Sequence, residues 1–320
     1  MEHFYTDLSI WDAHRTQISF IVFHDSQRPK DIIRSIMLIV EQQAHDSLFN
    51  PDTYIKYQYV PFDNESGSAP LTLSYSYKDW AIGIVMHAAG LFDETQDDYN
   101  RSQWFEHVFD NKTKFFCARS SEGAFFCPSN EIEFLNPWDN RYVEGNAWHY
   151  RFFVPHNTPH RIKLFGDEEI FAQELDIFFM CSRLWSTTVL PNPYYWPGNE
   201  HDLLSVWQFN YANRSDLTQK HSRWILDHVY TINPDGLPGT MIMEHFQHGS
   251  HIYRYSRNNG QSTVTSITHN NSAENIYVQR VLLNGKLLST FPFIDLIEHL
   301  KCTTQSLSIQ LDLFMSSTPS

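Results

Sequence analysis

One carboxylate in this chain stands where a positioned acid would be useful. Glu144 lies in Val143-Glu-Gly-Asn-Ala-Trp-His-Tyr-Arg-Phe-Phe-Val-Pro-His156, a glycine-broken stretch of amides, aromatics and histidines. That is how an acid in a sugar pocket would look, because flat apolar rings with a polar edge suit the C–H faces of carbohydrates. The same residues also read as an aromatic-rich strand or loop carrying a solvated glutamate.

Two other groups of reactive side chains invite a metal reading. His245-x-x-His248-x-x-His251, with Glu244 beside it, has a spacing that can bring two histidines to one helix face. Gly249 interrupts it, however, and the His-Glu-x-x-His pattern is absent, so a zinc site is not expected there. Cys117, Cys127, Cys181 and Cys302 show no Cys-x-x-Cys spacing. Cys117 and Cys127 can bridge across a loop or remain free buried thiols.

The elements that must position such residues are mostly helical. Apolar residues recur at helical spacing over Lys30 to Gln43, Asp79 to Phe92, Asp97 to Val108, Asp167 to Met180, Asp202 to Asn213 and Asp216 to Tyr230. The fourth opens Asp-Glu-Glu, which puts negative charge at the positive end of the helix. Long aromatic loops with few strands between them favour an α/α arrangement over a doubly wound sheet. After about residue 255 the pattern changes. Ile276 to Leu288 reads as two strands joined by the Asn284-Gly285 turn, and Leu307, Ile309, Leu311 and Leu313 alternate as in a half-buried strand. The domains expected are therefore a helical body over 1–255 and a β element over 256–320.

Composition limits the partners. The 320 residues are 42% hydrophobic and carry a formal net charge of -14, which supports a sizeable core and opposes binding to nucleic acid or an anionic membrane. No apolar run is long enough to span a bilayer, and Met1-Glu-His-Phe-Tyr-Thr-Asp has no signal-peptide character. Asn-x-Ser/Thr sequons at Asn64, Asn100, Asn111, Asn213 and Asn270 permit glycosylation in a secretory compartment.

Five ordered blocks carry a family resemblance: Phe4-Tyr-Thr-Asp-Leu-Ser-Ile-Trp-Asp-Ala-His-Arg-Thr16, Glu144-Gly-Asn-Ala-Trp-His-Tyr150, Phe153-Val-Pro-His156, Gly198-Asn-Glu200 and Pro234-Asp-Gly-Leu-Pro-Gly239. They resemble the calcium-dependent exo-α-mannosidases of glycoside hydrolase family 92. The resemblance implies an (α/α)6 barrel, incomplete in this chain, with a small C-terminal β element, and it implies that the family's N-terminal β-sandwich is missing here. It further implies removal of terminal α-mannose from glycans, of the N-glycan type, with inversion, by a protein of a secretory, lysosomal or extracellular setting. Glu144 matches the general acid, and packing by Trp148 and Tyr150 would retain its proton through desolvation. Trp11, Asp12, Arg15, Trp148 and His156 match the sugar-binding surroundings, and Asn199 with Glu200 matches a Ca2+ site, where oxygen ligands suit a hard cation.

The sequence departs from the family in two places. Where the family writes Thr-Leu-Glu-Tyr-Ala-Tyr-Asp-Asp, this chain has Thr72-Leu-Ser-Tyr-Ser-Tyr-Lys-Asp79, leaving Asp79 as a site residue or a helix cap. An inverting glycosidase also needs a second carboxylate to activate water. The family supplies it from Asn-Asp-x-Gly-x-x-Ser-Ala-Trp after Pro-Asp-Gly-Leu-Pro-Gly, whereas this chain continues Thr240-Met-Ile-Met-Glu-His-Phe-Gln-His-Gly249. Codons for those residues, read two bases later, permit Asn-Asp-Tyr-Gly-Thr-Phe-Ser-Ala-Trp. The expectation is a shifted frame or a mis-joined splice at Gly239. The alternative is an inactive carbohydrate-binding or vestigial fragment without the base.

Overall fold

The computed structural model describes residues 51–88, 92–136, 139–185, 192–230, 250–257, 260–288 and 308–319. They fall into two compact units, one within Leu48–Arg214 and the other within Ser215–Ser320. This division precedes the one read near residue 255. The reason is local: helix Ser215–His228 belongs with the sheet, since Gln219 accepts the Val278 N–H and Arg223 Nη2 donates to Asn271 Oδ1 at 3.0 Å.

In the first unit, α1 (Pro51–Tyr57) ends at Gln58, whose φ of 64° turns the chain. The long α2 (Ser68–Ala88) begins eleven residues before its expected start at Asp79. Its first turns are polar on the buried side, so apolar spacing does not reveal them. Thr72 Oγ1 donates to Ser68 O and Ser76 Oγ to Thr72 O, both at 3.0 Å, while Thr72 Oγ1 accepts the Val60 N–H at 2.9 Å. Asp79 is therefore inside a helix and caps nothing. Its carboxylate accepts Tyr54 Oη at 2.9 Å and Arg101 Nε at 3.1 Å. Burial pushes this carboxyl up, against the pull of those two donors.

The segment expected as one helix from Asp97 to Val108 is two elements, α3 (Phe92–Arg101) and a 3-10 turn (Trp104–Val108). Two ladders follow: β1 (Phe109–Asp110) pairs with β2 (Phe115–Phe116), and β3 (Ala118–Arg119) pairs with β4 (Phe125–Phe126). The Cys117–Cys127 disulfide flanks the second hairpin on both sides, resolving the choice between bridge and free thiols. Its loss should cost about 3 kcal/mol, the loop-closure value for a crosslink of this length. Denaturant melts with and without reductant measure it, and coincident curves would mean that the hairpin holds without its bridge. Cys181 is a free, half-buried thiol, and Cys302 lies outside the described residues.

After α4 (Glu131–Phe134) and α5 (Ala147–Arg151) come α6 (Thr158–Phe165) and α7 (Glu168–Ser182). The acidic start of α7 stands where expected, and Asp167 lies just outside the helix as its cap, Oδ1 accepting the Ile170 N–H at 2.8 Å. The core of this unit is aromatic. Phe152, Phe165, Phe171, Phe178, Phe179 and Phe209 are buried, with edge-on and stacked contacts between them. Arg161 is wholly buried against Phe152 and Phe171, with Gln208 accepting from its Nη2. The helix expected over Asp202 to Asn213 is instead a pair of 3-10 stretches, Glu200–Asp202 and Ser205–Ala212, closed by Asn213 at a φ of 55°.

The second unit packs α8 (Ser215–His228) with a five-stranded sheet of β5 (Ser250–Arg257), β6 (Gly260–His269), β7 (Tyr277–Leu283), β8 (Lys286–Leu287) and β9 (Ser308–Ser316), in the order β5-β6-β9-β7-β8. Only β6 and β9 run parallel. Asn284 and Gly285 have φ of 49° and 79°, the doubly positive pair of a tight hairpin turn, where the sequence places it. Among the described residues, the chain is mainly helical with a small sheet. No described helix is long and apolar enough to cross a membrane.

Candidate active site

The segment that carries Glu144 is clamped from both sides. Asn146 caps α5: its Oδ1 accepts the His149 N–H at 3.1 Å while His149 Nδ1 accepts the Asn146 N–H at 3.2 Å. A histidine thus does what glutamate or glutamine usually does in a reciprocal cap. This arrangement fixes the tautomer. Nδ1 accepts and so carries no proton, and Nε2 donates to Asn192 O at 2.7 Å. Burial holds the ring neutral, with its pKa down at about 4.

Asn192 continues the chain of bonds. Its Nδ2 donates to Ser182 O at 2.9 Å, its Oδ1 accepts the Tyr194 N–H, and Ser182 Oγ accepts the Tyr195 N–H at 2.9 Å. Asn146 Nδ2 adds a bond to Pro193 O at 3.0 Å. The last turn of α7 therefore positions the 192–196 segment, which positions the α5 cap. Downstream, Asp202 Oδ2 accepts the Trp196 N–H at 2.8 Å, and Gly198 lies so close beneath the Trp196 ring that a Cβ there would stand 2.4 Å from it.

Asn199 closes the loop onto Glu144. Its Oδ1 accepts the Glu200 N–H at 2.9 Å, and its Nδ2 lies 3.2 Å from both the main-chain O and Oε2 of Glu144. Glu144 itself sits at a φ of 47°, a left-handed conformation that costs a non-glycine residue about 1–2 kcal/mol. Strain of this kind persists where the surroundings over-determine it and clusters at functional sites. Gly67 helps to enforce it. At a φ of 67° its N–H donates to Asn140 O at 2.8 Å, and a Cβ there would stand 2.4 Å from Val143 Cγ2.

Behind Glu144 lies a layer of rings. Tyr150 stacks on His201 at 4.5 Å, and His149 is 5.4 Å from His201. Burial, and then the charges of Glu144, Asp202 and Glu200, hold the Tyr150 phenol protonated, and it donates to Val143 O at 2.6 Å. Burial likewise pushes the Asp202 carboxyl well above the usual range.

Three expected placements differ from this arrangement. The Glu144 residue is solvent-exposed, not desolvated between Trp148 and Tyr150. Tyr150 turns its hydroxyl to the main chain, and Trp148 faces Phe115, Phe178 and Tyr194 under the Arg151 guanidinium. His156, half-buried, donates from Nε2 to Ser102 O at 2.8 Å and stacks near Tyr77 and Trp80, and burial takes its pKa down to about 4. Asn199 and Glu200 do converge on Glu144's surroundings. Trp11, Asp12, Arg15, Glu244, His245 and His248 lie outside the described residues, as does the expected helix at 30–43. His251 falls on β5, so no helical face gathers it with the other two histidines.

Asn146, Asn192 and Asp202 are supports that residue type alone did not single out, and His149 stands with them as a buried support. One signal was present: Asn146 and His149 have the spacing of a cap and its third helical residue. For a cation, the donor chemistry at Asn199 and Glu200 is all oxygen, which fits Ca2+. Among the described residues, no three His, Cys, Asp or Glu side chains gather as a metal-binding group, so these two would be part of a shell completed elsewhere.

The neutral state of His149 has a measurable sign. Its pKa is about 4 in the fold against 6.5 ordinarily, so its contribution is complete above pH 6.5 and is lost as pH falls toward 4. The stability of the wild type minus that of His149→Gln should therefore fall by about 1.4 kcal/mol per pH unit through that window, in urea titrations at stepped pH. The subtraction is needed because the raised carboxyls of Asp202 and Asp79 act in the opposite sense. A difference that stays flat with pH would mean that the ring is not held neutral.

Comparison with known proteins follows the same residues. The family model of the glycosyl hydrolase family 92 catalytic domain matches residues 44–241, which includes Glu144, Asn199 and Glu200. The chain belongs to glycosyl hydrolase family 92. An uncharacterized secreted glycosidase of Arthroderma benhamiae is 24% identical, over 72% of this chain and 34% of that protein. The fold matches a family 92 α-mannosidase from Bacteroides thetaiotaomicron in complex with mannoimidazole, with a TM-score of 0.69 and 23% identity over 86% of this chain and 39% of that one. It also matches the family 92 glycosyl hydrolase ccman5, with a TM-score of 0.74 and 15% identity over 99% of this chain and 54% of that one. The chain thus spans about a third of the curated relative and about half or less of these solved chains.

Proposed function

We propose that this chain is catalytic-domain sequence of an exo-acting α-mannosidase that hydrolyses terminal α-mannose from glycans with inversion, with Glu144 as general acid. The observation that carries the reading is Glu144's own geometry: a strained, exposed carboxylate whose Oε2 is engaged by Asn199, in the part of the chain matched by the family model. Asn199 Nδ2 engages Oε2, which leaves Oε1 as the oxygen available to the leaving glycosidic oxygen. Trp11, Asp12 and Arg15 would surround the sugar, within an (α/α)6 barrel that a β-sandwich precedes in the family.

Ca2+ held in part by Asn199 and Glu200 would supply electrostatic anchoring for sugar hydroxyls. The chain's own residues do the rest: the Asn146–His149 cap and Asn192 hold the backbone, and Asn199 orients the acid. N-glycan processing in a secretory setting is part of the same proposal. A terminal α-mannoside should release β-mannose first by NMR, and a chelator should abolish the release until Ca2+ is restored. Release of α-mannose first, or full activity in chelator, would sink inversion or the metal respectively.

A second reading, a carbohydrate-binding chain without turnover, is favoured by one observation. No aspartate follows Gly239, where Thr240 to Gly249 stands instead.

A further inference from the structure

A pocket of about 470 Å3 lies a few residues before Glu144, lined by Phe62, Phe126, Asn136, Asp139, Asn140 and Arg141. Two features of it point to a ligand. Its apolar wall is a pair of phenylalanine rings 5.9 Å apart and tilted by 46°, of which Phe126 is 45% exposed at the tip of a two-residue strand. An aromatic ring left in water beside amides is what the apolar face of a pyranose uses.

The wall is also rigid. Phe126 pairs across to Ala118, the Cys117–Cys127 bridge closes that hairpin, and the Phe62 N–H donates to Arg119 O at 2.9 Å. A preformed platform loses little freedom when a ligand docks.

The charge pattern selects the ligand's class. Arg141 Nε contacts both Asp139 oxygens at 2.8 and 2.9 Å, and its Nη2 contacts Asp139 at 2.5 Å and Glu133 at 3.0 Å. Two carboxylates thus answer one guanidinium, so the pocket's polar side is not left positive. An anionic sugar or a phosphate finds no free cation there, whereas a neutral hexose can use the exposed amide of Asn140.

Reach connects the pocket to Glu144. Glu144 stands four positions after Asn140, and four extended steps of chain span at most about 14 Å, a length covered by a few linked sugars. We infer that this pocket is a second saccharide subsite, which holds a neutral hexose of the same glycan beyond the terminal sugar presented to Glu144. The inference rests on the proposed mannosidase reading for its substrate class, and it adds a place where the rest of the chain is recognised.

The test compares two ligands, methyl α-mannoside and a linear α-mannotriose, by titration calorimetry on wild type, Phe126→Ala and Asn140→Ala. Phe126 and Asn140 are both exposed, and a thermal melt confirms that each variant folds. The triose should bind the wild type more tightly than the monosaccharide, and Phe126→Ala should weaken the triose about 5- to 10-fold, on the scale of one aromatic stacking contact, while leaving methyl α-mannoside unchanged. Unchanged triose affinity in both variants overturns the subsite and leaves the mannosidase reading intact. Loss of triose affinity in a protein that hydrolyses no mannoside keeps the subsite and removes the mannosidase reading. No binding of either ligand to wild type overturns both.

Discussion

Glu144→Gln should reduce mannoside hydrolysis by two to four orders of magnitude, the range over which a general acid contributes, with little change in stability. The amide retains an oxygen for Asn199 Nδ2 but has no acidic proton to give. Glu144→Gly makes the sharper comparison. Activity should be lost to the same extent, yet the melting temperature should hold or rise, because glycine adopts a φ of 47° without the cost of about 1–2 kcal/mol that glutamate bears. The gain is offset in part by the looser unfolded chain and the lost Asn199 contact. A Glu144→Gly protein melting several degrees lower would show that the site imposes no strain. Thermal melts and initial rates on one preparation check both statements.

Replacement of Thr240 to Gly249 by Asn-Asp-Tyr-Gly-Thr-Phe-Ser-Ala-Trp should raise hydrolysis by about two to four orders of magnitude over the chain as written. Inversion needs a base across the sugar from the acid, with the two carboxyls roughly 6.5–9.5 Å apart so that water fits between. Glu144 cannot serve as both. In the replaced background, Glu144→Gln should again abolish activity. The two arms sort the readings: a chain equally active before and after replacement has its base elsewhere, and one inactive after it is a binding protein.

Much of the fold was legible because its signals are local. The acid cap of α7 at Asp167, the span of α8 and the Asn284-Gly285 hairpin each depend on a few adjacent residues, and each stands where the sequence puts it. The start of α2 was not legible, because Thr72 and Ser76 satisfy their hydroxyls on the helix's own carbonyls and, with Ser68, place buried polar residues on what should read as an apolar face. The hairpins built from Phe109 to Phe126 have strands of two residues, too short to display alternation. Glu144, Asn199 and Glu200 were singled out from their ordered blocks. Their supports were not, since Asn192 and Asp202 act through main-chain bonds that no residue type advertises.

The run of bonds from Ser182 through Asn192 to His149 makes the anchoring of the Glu144 segment an inherited property. The cap that follows Glu144 is tied to the end of a helix far along the chain, through the Asn192 amide and one neutral imidazole. Substitutions around Ser182 would thus look, in an assay, like defects of chemistry in a protein that is otherwise sound. A change at Ser182 would reach the Glu144 segment without ever touching it.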